Sequence, residues 1–292
     1  MKFAQASSIS KRVRRVVAIA AAVVVAGTTL VAQPAPSEAA PNGNIVTLGD
    51  SFSANPDQLR NARRAFDPGV FRDYPSTAGC LQAPDNWPRQ LGERTGAPVA
   101  DWSCTAQTSR TALGRLEGAI QSGDLHPGTR AVVVAVGMNN FGGFGVLDGV
   151  NILEPVAVRG AYLHDMHVMV DRIRSVAPGA RIVFSGQLQV TEPVSATYCS
   201  VNVVPNMPAG FPVPLLRDVE NWNRGNQVDA ARETGVEFVD IKDGSALHNS
   251  CAPDLDRWVA GVIDTTTPNC NMAFHPSRAG SAFMADQLAG HV

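Results

Sequence analysis

Short runs of consecutive apolar, often β-branched residues recur along the chain, and each stops at a small or polar residue. Asn44 to Leu48 reads NIVTL and runs into Gly49-Asp50-Ser51; Arg130 to Val136 reads RAVVVAV and runs into Gly137. Arg181 to Ser185 (RIVFS) and Val236 to Ile241 (VEFVDI) are two more, with Val99 to Ser103 (VADWS) a weaker fifth. A strand with one wet face alternates apolar and polar residues. An uninterrupted run needs cover on both faces, the condition of a parallel sheet held between helical layers. Helical spacing fills the intervals: Leu163, Met166, Val170 and Ile173 within Ala161–Ser175; Leu216, Val219, Trp222, Val228 and Ala231 within Leu215–Thr234; Phe283, Met284 and Leu288 within Gly280–Leu288. Strands alternating with helices predict an α/β fold, a three-layer α/β/α sandwich around a central parallel sheet. Residues 53–90 and 188–212 show neither period and are expected to be irregular; loops of that length in such a fold often cover a site.

The N-terminus is organised differently. Lys2, Lys11, Arg12, Arg14 and Arg15 precede an apolar stretch from Val16 to Val31, and Ser37-Glu38-Ala39-Ala40 supplies small residues after it. Charged, greasy, then small is the order of a secretory signal peptide. Residues 1–39 are read as that leader, 40–43 as a short linker and 44–292 as one domain, secreted or held at the cell envelope after cleavage. The alternative, an uncleaved anchor, rests on an apolar run near the lower length limit for a span. The net charge is −2 and no basic run lies outside the leader, which argues against nucleic-acid binding. The five cysteines, 80, 104, 199, 251 and 270, form no CxxC or CxxH, so export makes disulfides the expectation and metal binding is not indicated. His164 and His167 stand at helical spacing without an identifiable third ligand, and they read as a solvated helix face.

Ligands of open parallel sheets bind at the carboxyl ends of the strands. The residues just past those ends are Gly49-Asp50-Ser51, Cys104-Thr105-Ala106 and Gly137-Met138-Asn139-Asn140, and His275 stands near the C-terminus in Ala273-Phe274-His275-Pro276. A serine, amide donors and a histidine are the parts of an acyl-transfer site.

At this set the chain resembles the SGNH (GDSL-type) hydrolases, particularly the secreted actinobacterial esterases and lipases. The resemblance is carried by Gly49-Asp50-Ser51-Phe52-Ser53, Gly137-Met138-Asn139, and His275-Pro276 followed by Gly280 and a terminal helix. It spans roughly residues 44–292, and Asp240 to Trp258 adds to it. It implies a flavodoxin-like fold, a Ser51 nucleophile and a His275 general base. It also implies an oxyanion hole from the backbone N–H groups of Ser51 and Ala106 plus the Asn139 amide. No metal and no organic cofactor is implied. Ala106 stands where the family has a glycine, which keeps the N–H but loses easy access to positive φ. Asn140 replaces an aspartate. Met272 stands where the family has the aspartate that orients the histidine. Two substitutes are open: a backbone carbonyl near Met272, or a distant acid such as Asp264.

The expected activity is hydrolysis of a carboxylic ester, either a lipid or an acylated envelope glycan, by a monomer. The alternatives are an acyltransferase on envelope lipids or sugars, and a catalytically dead secreted binding protein. Met138, Phe141 and Phe144 are expected to shape an acyl pocket, with Trp102 and Trp222 in the core. Cys80–Cys104 would tie the early loop to the segment carrying Ala106. Cys199–Cys251 would clamp the Pro-rich loop and leave Cys270 free. Cys251–Cys270 is the rival pairing.

Overall fold

A computed structural model describes residues 40–292; the leader expected at 1–39 lies outside the described residues. In chain order its elements are β1 (Ile45–Gly49), α1 (Ser51–Ala54), α2 (Gln58–Arg63), the two-residue strands β2 (Ser76–Thr77) and β3 (Cys80–Leu81), α3 (Trp87–Thr95), β4 (Val99–Asp101), α4 (Ser109–Gln121), β5 (Ala131–Ala135), α5 (Gly143–Leu147) and α6 (Pro155–Val176). There follow β6 (Arg181–Ser185), β7 (Thr197–Asn202), β8 (Ala209–Pro212), α7 (Pro214–Thr234), β9 (Glu237–Val239), α8 (Ile241–Gly244), β10 (Ile263–Asp264) and α9 (Arg278–Ala289).

The five apolar runs form one sheet in the order β4-β1-β5-β6-β9, every pair parallel. Successive residues of β5 divide between two cores. Val132 and Val134 face Leu116 of α4, Met166 of α6 and Ala230 of α7. Ala131, Val133 and Ala135 face Leu91 of α3 and Met284 and Leu288 of α9. Cover on both faces is why the run is continuous rather than alternating. The three-layer α/β/α sandwich is the predicted one.

Two sequence expectations need correction. The stretch 188–212 is not wholly irregular: β7 and β8 form an antiparallel hairpin with a register shift, and β10 adds to β7 in parallel. Prolines at 205, 208 and 212 masked the pattern, since proline tolerates only edge or bulged positions. Nor is 53–90 wholly irregular: it holds α2, β2, β3 and the start of α3, and α3 and α4 carry weak helical patterns. Gly92, Gly114 and Gly118 dilute their apolar stripes, yet Gly92 and Gly118 are places where an added Cβ would meet Val99 and Trp102.

Candidate active site

Ser51 opens α1. The Asp50 carboxylate caps this single turn, accepting the Phe52 N–H at 2.9 Å. As the first helical residue Ser51 has no intrahelical acceptor for its own N–H. Gly49 is required by close approach, because a Cβ there would lie 2.1 Å from Ser53 Oγ. Beyond α1, Asn55 Nδ2 donates to the Pro276 carbonyl at 2.9 Å, across 221 residues of sequence. Gln58 N–H donates to the Asn271 carbonyl at 3.0 Å, and Ala273 N–H donates to Gln58 Oε1 at 2.8 Å. Three cross-links thus fasten the segment after the serine to the loop carrying His275.

His275 Nδ1 lies 2.8 Å from the Ala273 carbonyl. A carbonyl only accepts, so Nδ1 bears the hydrogen and Nε2 keeps its lone pair. That Nε2 is buried and has no hydrogen-bond partner among the described residues. The ring packs against Phe52 with centroids 5.2 Å apart. Burial pulls its pKa from 6.5 down to about 4, and the Ala273 carbonyl opposes the shift without cancelling it. His275 is therefore neutral at pH 7, the form a general base needs. At the cap of α1, burial raises the Asp50 carboxyl from 3.8 to about 7 against the pull of the Phe52 N–H.

The orienting carbonyl is that of Ala273, not Met272. Phe274 sits at φ +67°, a left-handed turn that folds the Ala273 carbonyl back towards the imidazole one residue closer than expected. The Phe274 N–H is held by the Gly261 carbonyl at 3.2 Å. Asp264 does not serve. Its carboxylate accepts from Asn202 Nδ2, the N–H groups of Gly261, Thr266 and Thr267, and the Thr267 hydroxyl.

Ala106 adopts φ +70°, a left-handed backbone that ordinarily favours glycine. Its loop is fastened from three sides. The Cys80–Cys104 disulfide closes it. Gln82 Nε2 donates to the carbonyls of Asp101 and Ser103 at 2.7 and 3.0 Å. The buried Asp101 carboxylate accepts from Thr47, Asn86 and Ser103. Neither the Ser51 nor the Ala106 N–H has an acceptor among the described residues. Asn139 enters from a 3-10 turn, Met138–Phe141, introduced by Gly137 at φ +144°. A Cβ on Gly137 would lie 2.0 Å from Asn223 Oδ1, so only glycine fits. Asn139 Nδ2 donates one hydrogen to the Gln107 carbonyl at 2.9 Å, adjoining Ala106, and its second hydrogen remains available. Asn140 points elsewhere: it accepts the Ser109 N–H at 3.0 Å and donates to Ser109 Oγ at 2.7 Å, pegging the start of α4.

An open groove of about 350 Å³ leads away from Asn139, lined by Met138, Phe141, Val213, Leu216 and Phe274. Phe144 is not in its lining, and lies exposed on α5. Trp222 is not a core residue either; at 38% exposure it stacks on Phe141 and backs the groove wall. Trp102 is buried as expected. Of the cysteines, Cys80 pairs with Cys104 and Cys199 with Cys251, leaving Cys270 free and setting aside Cys251–Cys270. The α7 wall of the groove was missed in the sequence, although Val213-Pro214-Leu215-Leu216 is an apolar cluster at a helix start.

Residues 47–283 match the model of the GDSL-like Lipase/Acylhydrolase family. The chain is 27% identical over 281 residues, 89% of either chain, to Lipase 2 of Streptomyces coelicolor. Among solved structures it resembles phospholipase A1 from Streptomyces albidoflavus, with a TM-score of 0.58 at 18% identity over 86% of this chain and 100% of that one. It also resembles the extracellular lipase from Streptomyces rimosus, with a TM-score of 0.51 at 17% identity over the same shares. At these identities the structures speak for the fold.

Proposed function

We propose that this chain, which belongs to the GDSL-like lipase/acylhydrolase family, is exported and hydrolyses lipid esters through an acyl-enzyme on Ser51. Its class is carboxylic ester hydrolase. The observation that carries the finer reading is His275: one ring nitrogen is fixed by Ala273, and the other is buried without a partner beside α1. A buried polar atom left unpaired costs about 1–3 kcal/mol, a cost that a reacting hydroxyl would relieve.

Ser51 Oγ attacks the ester carbonyl carbon, and its proton passes to His275 Nε2. The electron pair pushed onto the carbonyl oxygen is received by the N–H groups of Ser51 and Ala106 and the Asn139 amide. The tetrahedral intermediate collapses, the carbon–alkoxide bond breaks, and the departing oxygen takes the proton from Nε2. Water then repeats the sequence against the acyl-Ser51 ester: its proton goes to Nε2, the acid is released and the proton returns to Oγ. The groove beside Asn139 receives the acyl chain, and its apolar lining favours a lipid over an acetylated glycan. Export is supported by the two disulfides and by the leader-like N-terminus.

The test is a panel of p-nitrophenyl esters from acetate to palmitate, assayed on the chain lacking residues 1–39 and on its Ser51→Ala variant. Cleavage that rises with chain length and vanishes in the variant is expected. Cleavage that persists in Ser51→Ala would remove the nucleophile, and a preference for acetate would remove the lipid assignment.

A further inference from the structure

The groove opens onto a ridge whose exposure the ester chemistry alone does not explain. The β7–β8 hairpin and the start of α7 present Met207, Phe211 and Leu215 to solvent at 68%, 61% and 66%, with Val203 and Val204 also exposed. From Val203 to Leu216 no residue is ionisable. Across the groove, Met138 to Leu147 carries no ionisable residue either. Solvated surface ordinarily mixes both signs of charge, and large contiguous apolar patches mark interaction sites.

The ridge is held in shape. The Cys199–Cys251 disulfide clamps its base. At its tip, Asn206 N–H donates to Asp254 Oδ2 at 3.0 Å and Asp254 N–H donates to Asn206 Oδ1 at 3.2 Å. In β8 a Cβ on Gly210 would lie 2.0 Å from the Tyr198 carbonyl, so the two strands are in close contact there. The exposed apolar side chains are therefore carried on a braced element rather than a frayed loop. The ridge is also continuous with the groove: Val213 and Leu215 line it, and Leu215 belongs to both.

We propose that this ridge docks the protein on the surface of an electrically neutral or zwitterionic lipid aggregate, with the groove mouth facing the acyl chains. This rests on the lipid-ester reading of the same site and adds where the substrate is taken from. The two segments flanking the groove carry no charge of their own as far as Asp148 and Arg217 at their C-terminal ends, and this selects the occupant. An anionic membrane would be met by lysine and arginine, whereas an apolar ridge gains from any acyl boundary it enters, in proportion to the area buried. A single ester molecule in solution needs the groove but not the ridge.

Two exposed positions outside the groove lining, Met207 and Phe211, carry the test. Cosedimentation of the Ser51→Ala protein with phosphatidylcholine vesicles is compared with that of the same protein bearing Met207→Ser and Phe211→Ser. The vesicle-bound partition coefficient is expected to fall about tenfold or more. In the otherwise native chain, hydrolysis of vesicle lipid is expected to fall in parallel, while that of monomeric p-nitrophenyl acetate stays within about twofold. Unchanged thermal midpoints show that the variants fold. Vesicle binding equal to the parent overturns the proposal. So does a parent chain that is dimeric in solution and turned monomeric by the two substitutions, which would make the ridge a subunit interface. Failure of the native chain to cleave p-nitrophenyl acetate would defeat the esterase reading instead, and vesicle binding by the Ser51→Ala protein would still be readable.

Discussion

Replacing His275 with glutamine should change how stability responds to acid. In the unfolded chain the imidazole binds a proton below 6.5, whereas in the fold it does so only below about 4. Between those values the unfolded state holds one more proton, so stability falls as pH falls through the window. At about 1.4 kcal/mol per unit, roughly 2.5 units amount to ~3 kcal/mol. Asp50 acts in the opposite sense. Its carboxyl is protonated below about 7 in the fold but only below 3.8 when unfolded, so the native state holds the extra proton and stability falls as pH rises. That contribution is ~4 kcal/mol between the two values. Across pH 4 to 6.5 the slopes are equal and opposite, and together they leave the wild type nearly flat.

The variants unmask the two contributions. His275→Gln removes the acid penalty, so its stability relative to wild type rises by ~3 kcal/mol from pH 7 to pH 4. Asp50→Asn keeps an oxygen for the Phe52 N–H but removes the titration. Its relative stability should rise by ~4 kcal/mol from pH 4 to pH 7. Urea unfolding at half-unit steps, with disulfides intact, gives both curves; taking differences from wild type cancels the other carboxyls, such as the raised Asp165 and Glu220 and the lowered Asp264. The same shift places the acid limb of kcat/KM near pH 4 rather than 6.5. A His275→Gln difference curve that is flat from pH 7 to pH 4.5 would refute the shielding of the imidazole.

Three further outcomes follow from the proposed oxyanion loops. Asn139→Ala should lower kcat on p-nitrophenyl esters by ~10²–10³ with little change in KM, and a loss under about threefold would remove Asn139 as a principal donor. Ala106→Gly relieves a left-handed residue at about 1 kcal/mol but loosens the unfolded chain by a similar amount, so activity and thermal midpoint should hardly move. Ala106→Val, with a β-branched side chain at φ +70°, should lose both, as activity assays and a thermal scan would show.

The sheet was legible because burial on both faces leaves an unmistakable mark: β1, β5 and β6 are continuous apolar runs, and the residues after them fall where parallel sheets bind ligands. Ser51 and Asn139 stand out on that ground, whereas His275 follows no strand of the sheet and was singled out only by the family resemblance. Ala106 stood out in the sequence only through the resemblance, and its φ of +70° is a left-handed backbone that glycine adopts most easily. The carbonyl of Ala273 was not legible to the residue, because every residue owns a carbonyl and only the turn at Phe274 selects one. The hairpin ridge was hidden by its prolines, and the Gln82–Asp101 brace by having no period at all.

These facts bear on where the catalytic power resides. A carbonyl on Nδ1 secures the tautomer as well as a carboxylate does, but it carries no full charge to stabilise the imidazolium that forms when Ser51 is deprotonated. A base depressed towards pH 4 also pulls less strongly on a hydroxyl. Both effects raise the barrier to proton transfer, so the developing oxyanion must be stabilised the more. The donors proposed for it are two backbone N–H groups and one side-chain amide, all set by braced turns. The disulfide at Cys104, the Asp101 brace and the Gly137 turn all converge on those donors rather than on the histidine. Weakening that bracing, for example with Asp101→Ala, should therefore impair catalysis more than any change at Met272, whose side chain makes no hydrogen bond in the site.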